Sequence, residues 1–193
     1  MTKFTELYMK RVKLLGSPSR LKNDSINRFI GKHPTPLMKY EFSGNLLKPG
    51  GIYIFDYDNK SDIDLFNNKK SLFYDKSPLI LITSNDYNQG LNLNLLQTND
   101  RIKLFSVMHD YSNYKINNNR NPKQFKSMLI DSYKISNLLS INNVPYSIYD
   151  LKHARNIYMI DSSEIVNICD LYMDSINLHK GMTKSDLYKK IKK

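Results

Sequence analysis

The sequence has no tryptophan and a single cysteine, Cys169, among its 193 residues. One cysteine excludes an internal disulfide and any zinc site that needs several cysteines. No apolar run approaches the ~18 residues that a membrane-spanning helix requires, and the start MTKFTELYMKR lacks the uninterrupted apolar core of a signal peptide. The single cysteine fits a reducing compartment or a protein that uses no sulfur chemistry. The composition therefore predicts a soluble protein that is made in a cytoplasm and does not contact a membrane.

Catalytic motifs are also missing. The histidines form no H-x-H or H-x-x-x-H pair, and no serine sits in a G-x-S-x-G turn. Gly50-Gly51 is followed by a strand pattern and not by Gly-Lys-Ser/Thr, so it is not a phosphate loop. We therefore predict no catalytic residue, no metal site and no cofactor, and a protein that is not an enzyme. The four histidines lie in four separate segments, at His33, His109, His153 and His179.

The acidic residues of one polar segment resemble a calcium loop at first sight. Asp58, Asp62 and Asp64 follow the spacing Asp-x-x-x-Asp-x-Asp, and carboxylates at such positions can bind a divalent cation. The segment lacks the glycine at the sharp-turn position and the final glutamate of such loops. We therefore expect residues 58–74 to form a polar surface loop.

Three short apolar runs, each set off by Pro or Gly, dominate residues 49–96. The runs 52–57 (IYIFDY) and 79–82 (LILI) are rich in β-branched and aromatic residues and too short for helices. In the run 91–95 (LNLNL) Leu and Asn alternate strictly, which predicts a strand with one wet and one dry face. We expect a small, strongly bent β-sheet or partial barrel here.

The chain before this sheet reads as a separate helical arm. Apolar residues from Phe4 to Leu15 recur at helical spacing, and Gly16-Ser17-Pro18 ends the helix. A second short helix is expected over 23–30, and His33-Pro34-Thr35-Pro36 forms a stiff connector. The sequence predicts an arm over 1–36 and a second unit over 37–193, with the β-core and a C-terminal helical region.

The chain after the sheet is mainly helical. Helices are expected over 96–110 and 125–139, and the acidic start 161–164 (DSSE) resembles a capping box. Cys169 lies on the apolar stripe of the helix that follows, which predicts a buried thiol. The segment 183–186 (TKSD) begins a last helix that ends in a lysine cluster. The predicted fold class is α+β, with helices on both sides of the sheet.

Charge is distributed unevenly over the three regions. Residues 1–48 carry ten Lys and Arg against three acids, and residues 97–193 carry fifteen against nine. Residues 49–96 carry four against six, which makes the β-core mildly acidic within a chain of net charge +11. Basic flanks of this kind suit a polyanion, an acidic partner surface or simple solvation.

The β segment carries a family resemblance. The order PGGIYIFDYDNK, LFYDKSPLILI, GLNLNLL, then Arg101 and a helical tail, resembles small virion proteins of T-even-type tailed phages. That family has a Pro-Gly start, a Tyr-x-Phe-x-Tyr-Asp strand, a Tyr-Asp-x-x-Pro-Leu turn and a Gly-Leu-Asn-Leu strand. The present chain has Gln97-Thr98-Asn99 where the pattern has a Pro-containing turn.

The resemblance implies a bacteriophage structural protein of the neck or head-completion region, found in the virion and made in the host cytoplasm. Its expected partners are portal, neck or tail components within an oligomeric assembly, with the end of the packaged double-stranded DNA as a further candidate. An alternative is a protein–protein connector of the virion without DNA contact. Basic residues around one helix–turn–helix stretch would meet DNA phosphates more readily than base edges. They are Arg101, Lys103, Lys115, Arg120, Lys123 and Lys126.

A second alternative is a small-barrel ribonuclease, which the same strand order also resembles. Such toxins begin their second core strand with an Arg-Pro pair, where this chain has Lys76-Ser77-Pro78. The cation that would stabilise the transition state is therefore displaced.

Overall fold

The computed structural model of the chain describes residues 3–15, 47, 50–83, 89–118, 137–139, 145–160, 165–169 and 175–192. Its helices are α1 (Lys3–Leu15), α2 (Lys60–Asn67), α3 (Thr98–Asn118), α4 (Ile165–Ile168) and α5 (Lys184–Lys192). Its strands are β1 (Ile52–Tyr57), β2 (Phe73–Asp75), β3 (Leu79–Ile82), β4 (Gln89–Asn92), β5 (Tyr146–Ile148), β6 (Ala154–Met159) and β7 (Ile176–Leu178). Two 3-10 turns lie at Leu93–Leu95 and Leu151–His153.

Five strands form one antiparallel sheet in the order β5-β4-β3-β1-β6. β2 and β7 pair separately as a two-stranded ribbon. The sheet has β5 and β6 as its two edges, so it is not closed into a barrel. The α+β class with terminal helices is confirmed. No helix among the described residues is both long and apolar enough to cross a bilayer.

The two central strands are buried on both faces. Successive side chains of a strand point to opposite faces, so β1 and β3 each contribute side chains to two hydrophobic clusters, one on each face of the sheet. The first cluster lies under α1, α3 and α4, and the second lies on the opposite face. From these two strands, Ile52, Ile54, Leu79 and Leu81 belong to the first cluster, and Tyr53, Phe55, Tyr57, Ile80 and Ile82 to the second.

Helix α1 is part of the larger hydrophobic core. Phe4 and Tyr8 are only 2% and 8% exposed and pack in the first cluster. The ring of Phe4 lies 6.1 Å from that of Phe105 on α3. The predicted boundary at residue 36 lies outside the described residues, so the division into an arm over 1–36 and a second unit over 37–193 stays a prediction. The expected helix 23–30 and the connector 33–36 lie outside the described residues.

The predicted strand over 91–95 needs correction. β4 ends at Asn92, and Leu93–Leu95 form a 3-10 turn, in which the Asn94 amide donates to the Asn92 side chain. Asn92 and Asn94 are 1% and 2% exposed, so the expected wet face is buried. The alternation arises because the two asparagines bind a buried carboxylate and not water.

The segment 58–74 is also more ordered than the surface loop that we expected. It contains α2, which begins where the Asn59 side chain accepts a hydrogen bond from the Ser61 amide at 3.0 Å. It ends in the first two residues of β2. The polar sequence suggested a loop because α2 lies at the surface, where none of its residues is fully buried.

Other predictions are confirmed. β1 and β3 coincide with the predicted strands, and α3 contains most of the predicted helix 96–110. Cys169 is fully buried in the first cluster. The predicted last helix begins with a reciprocal cap, in which the Thr183 amide donates to Asp186 Oδ2 and the Asp186 amide donates to Thr183 Oγ1. Residues 137–139 are helical, and the predicted helix start 161–164 lies outside the described residues.

Replacing Phe4 by Ala should lower the free energy of unfolding by about 3–5 kcal/mol, because it leaves a cavity between α1 and α3. Urea denaturation of the full chain measures this change. Leu7→Ala is the matched control on the same helix, since Leu7 is 42% exposed, and it should change stability by no more than about 0.5 kcal/mol. Equal stability of the two variants would show that α1 is a loosely attached arm.

Candidate functional site

The carboxylate of Asp75, at the end of β2, is the centre of a buried polar cluster. Asp75 is 7% exposed. Its Oδ1 accepts from Ser175 Oγ at 2.6 Å and from the Ser77 amide at 3.2 Å. Its Oδ2 accepts from the side-chain amides of Asn92 and Asn94, both at 2.9 Å. Four donors satisfy the carboxylate, so its charge is stabilised where bulk water has little access.

This cluster, the Asp75 cluster, joins two of the motifs that carry the family resemblance. Asp75 and Ser77 belong to the Tyr-Asp-x-x-Pro-Leu turn, and Asn92 belongs to the Gly-Leu-Asn-Leu strand. The antiparallel pairing of β3 with β4 brings the two motifs together. Ser175, which precedes β7, comes from 100 residues further along the chain. No sequence motif marked Ser175, so its role is visible only in the fold.

The two asparagine amides have defined orientations. Asn94 Nδ2 donates to Asp75 and also to the Ser77 carbonyl at 3.1 Å, so a flipped amide would set its oxygen against two acceptors. Asn92 Oδ1 accepts from the Asn94 backbone amide at 2.9 Å, which fixes the Asn92 side chain. Both asparagines therefore act as donors to the carboxylate.

Gly90 has a steric reason for its place in the second motif. A Cβ at this position would lie 3.2 Å from the Leu81 carbonyl oxygen and 3.4 Å from side-chain atoms of Ile80 and Ile82. A larger residue would require the Leu81 carbonyl to move by a few tenths of an ångström, within the strand pairing that carries Asn92 to Asp75.

Arg101, the first residue of the predicted DNA-binding set, lies in the interior. It is 5% exposed, and its Nε and Nη1 donate to the carbonyl oxygens of Leu93 and Ile168 at 2.8 and 3.1 Å. These bonds tie the 3-10 turn and α4 to α3. A guanidinium that is buried and bonded to two backbone carbonyls holds those segments in place and does not reach a DNA phosphate.

Two other residues of that set lie on the same helix as Arg101. Lys103 is exposed on α3, and Lys115 lies near the end of the same helix. Arg120, Lys123 and Lys126 fall outside the described residues. The structure therefore places three of the six, Arg101, Lys103 and Lys115, on one helix, and DNA binding stays a prediction.

A cavity of about 300 Å³ lies beside the Asp75 cluster, between α2, β2 and β5. We call it the tyrosine pocket, because Tyr57, Tyr74 and Tyr149 line it, together with the carboxylates of Asp62 and Asp75. It was not visible in the sequence. The only sequence signal was the dense run of tyrosine and aspartate within residues 53–75.

Burial sets the protonation of the groups in this pocket. It raises the pKa of Tyr149 far above its ordinary value, and the charge of Asp75 adds to the effect. Burial also raises the pKa of Tyr57 and of Tyr74. The three phenols therefore stay neutral at physiological pH. Burial raises the pKa of the Asp62 carboxyl as well, against the opposing charge of His153.

The pocket walls are held by aromatic packing and one short hydrogen bond. The ring of Tyr149 meets those of Phe55 and Tyr57 edge to face at 5.5 and 5.3 Å. Tyr74 donates its hydroxyl to the Tyr57 carbonyl at 2.6 Å. The rings therefore form a fixed aromatic surface.

A wider groove of about 790 Å³ lies on the other side of Tyr74. It has mixed charge, with Asp56, Lys76 and Arg155 in its walls. Asp56 is occupied by a 2.7 Å hydrogen bond from Asn156. No group of three or more His, Cys, Asp or Glu within the described ranges is arranged to hold a metal ion.

Comparison of the chain with protein-family models, with curated proteins and with solved structures finds no match. Function is therefore inferred from the residues and from their geometry. We interpret the Asp75 cluster as a structural centre, because both oxygens of the carboxylate already accept hydrogen bonds from the protein. The tyrosine pocket reads as a binding surface, because its aromatic and acidic groups border an open cavity.

Replacing Asp75 by Ala should lower the free energy of unfolding by at least about 3 kcal/mol, because several buried donors lose their acceptor at once. Asp75→Asn should also destabilise, since its NH₂ group would face donors. Thermal and urea unfolding measure both variants. Asp64→Ala, at an exposed position of α2, is the control and should leave stability within about 0.5 kcal/mol of the parent. A stable, well-folded Asp75→Ala protein would contradict a structural role for the cluster.

Proposed function

We propose that this protein is a structural component of a tailed-phage virion, in the neck or head-completion region, and not an enzyme. Its β-sheet and helices serve as a scaffold that contacts other virion proteins, such as portal, neck or tail components. In this proposal the basic regions of the chain face the end of the packaged double-stranded DNA. A connector without DNA contact is the second candidate, because the same basic surface suits an acidic protein wall.

The observation that carries the proposal is the meeting of the family-like motifs in one buried cluster. Residues shared with the phage pattern, Asp75, Gly90 and Asn92, contact one another or set the strand spacing between them. A resemblance spread over unrelated surface positions would be weak. One that maps onto a single interacting unit supports descent from a common fold.

The nature of that unit favours a scaffold role over catalysis. The Asp75 carboxylate is saturated by donors, and Arg101 is held by two backbone carbonyls. Both residues belong to the phage-like sequence pattern, and both stabilise the fold through hydrogen bonds within the protein. The ribonuclease alternative needs a cation at the start of the second core strand, whereas Lys76 is exposed and separated from Pro78 by Ser77.

The charge distribution supports a polyanion or an acidic surface as partner. Residues 49–96 are mildly acidic, while both flanking regions are basic. The last helix presents exposed Lys189 and Lys190. Without Arg101, the candidate DNA contacts are Lys103, Lys115, Arg120, Lys123 and Lys126, which would bind phosphates with little regard to sequence.

The protein should be present in purified virions at a fixed copy number and should remain bound after washing at high salt, because assembled virion components bury large interfaces. Quantitative mass spectrometry of gradient-purified particles measures the copy number, and labelling of the protein in electron micrographs gives its position at the neck. Detection only in infected-cell lysate, and never in particles, would overturn the virion assignment.

Any DNA binding should weaken steeply with salt, with a slope of about −0.9 in log K against log salt for each phosphate contact on duplex DNA. Fluorescence anisotropy on blunt-ended and circular duplexes at several salt concentrations measures this slope. Arg120→Ala with Lys123→Ala should reduce its magnitude by up to about 2.

The matched control for this double variant is Lys70→Ala with Lys76→Ala, which removes two exposed lysines from the acidic region. It should leave the slope unchanged. Absence of binding to either duplex would favour the connector without DNA contact. Equal affinity for both duplexes would keep a DNA role but remove preference for the end.

A further inference from the structure

The tyrosine pocket contrasts in charge with the rest of the chain. Among the described residues, its lining contains the carboxylates of Asp62 and Asp75 and no lysine, arginine or histidine, although the net charge of the protein is +11. Asp75 is already occupied by four donors. Asp62 has no hydrogen-bond or ion-pair partner in the part of the chain that the structure describes, so its carboxylate is free to accept from a ligand.

The environment of Asp62 favours a cation. Burial raises the pKa of this carboxyl, which means that its ionised form lacks the stabilisation that bulk water gives. His153 offsets this effect only in part. A positive group in the pocket would stabilise the carboxylate and lower its pKa again.

The aromatic lining favours the same class of ligand. Tyr57, Tyr74, Tyr149 and Phe73 border the cavity, and aromatic faces attract cations when water is excluded. A guanidinium group suits such a site best, because it is planar, stacks on rings and donates to a carboxylate with two parallel N–H groups. The cavity of about 300 Å³ has room for one side chain.

The rim of the pocket indicates that the cation belongs to a protein. Leu65 of α2 and Ile148 of β5 both line the pocket and are 44% and 65% exposed, so they form a small apolar surface beside the acidic lining. β5 is an edge of the five-stranded sheet, and no strand of the described residues pairs with its outer side, which suits an extended segment. A free cation would leave these apolar side chains in water, whereas a peptide would cover them.

We propose that the tyrosine pocket binds an arginine side chain of a partner protein, whose neighbouring apolar residues cover Leu65 and Ile148. Asp62 accepts from the guanidinium and the tyrosine rings surround it. The inference follows from the pocket itself and does not depend on the virion assignment.

The test titrates two peptides into the full-length protein, acetyl-Leu-Arg-Leu-amide and the same peptide with citrulline in place of arginine. Citrulline keeps the shape and loses the charge. Methyl resonances of Leu65 and Ile148 in NMR spectra report binding. We expect saturable shifts with the arginine peptide and an affinity for the citrulline peptide that is lower by about tenfold, from one desolvated charge pair with a cation–π contribution.

Two variants separate the pocket from general surface charge. Asp62→Asn should weaken binding of the arginine peptide by about tenfold, while Asp64→Asn, an exposed position on the same helix, should leave it unchanged. In the parent protein, affinity should fall as the pH drops through the pKa of Asp62, because protonation removes the charge. In Asp62→Asn the loss of affinity that accompanies protonation of this carboxyl should be absent.

Several outcomes would overturn the proposal. Equal affinity for the arginine and citrulline peptides would show that the pocket does not recognise charge. An equal loss of affinity in Asp62→Asn and Asp64→Asn would show that the peptide responds only to the overall negative charge of α2. Arginine amide alone is the remaining control. If it binds as tightly as the tripeptide, the apolar rim contributes nothing and the pocket takes small cations, not a protein segment.

Discussion

The fold depends on the hydrogen bonds to one buried carboxylate. Asp75, at the end of β2, joins the turn before β3, the end of β4 and the residue before β7, whose donors lie 2 to 100 residues away along the chain. A charge buried to this degree is stable only while its donors stay in place. The sheet and the β2–β7 ribbon therefore have a defined mutual position, which hydrophobic packing alone would specify less strictly.

The hydrophobic core is arranged around this constraint. β1 and β3 are buried on both faces, so helices must cover the sheet on one side and aromatic residues on the other. Arg101 extends the polar framework, because it ties the turn after β4 to α4 through two backbone carbonyls. Polar residues that looked suited to solvent or to DNA thus serve the interior.

The Asp75 cluster and the tyrosine pocket share Asp75 and Asn92, and this sharing links stability to binding. The cluster fixes the floor of the pocket, and the rings of Tyr57, Tyr149 and Phe55 fix its wall. A site built on such rigid supports loses little conformational entropy when a ligand binds. The family-like motifs hold the scaffold, while the proposed recognition of an arginine side chain uses residues outside those motifs, such as Asp62.

The sequence alone determined the elements whose signals are local: the strands at 52–57 and 79–82, the helices at both ends, and the burial of Cys169. Apolar periodicity and capping depend on neighbouring residues, so they can be read without the fold. Only the tertiary structure decided that Asn92 is buried, that Arg101 is internal and that the polar segment 58–74 contains a helix. The partners that decide these outcomes, such as Ser175 for Asp75, are up to 100 residues away and meet only when the chain folds.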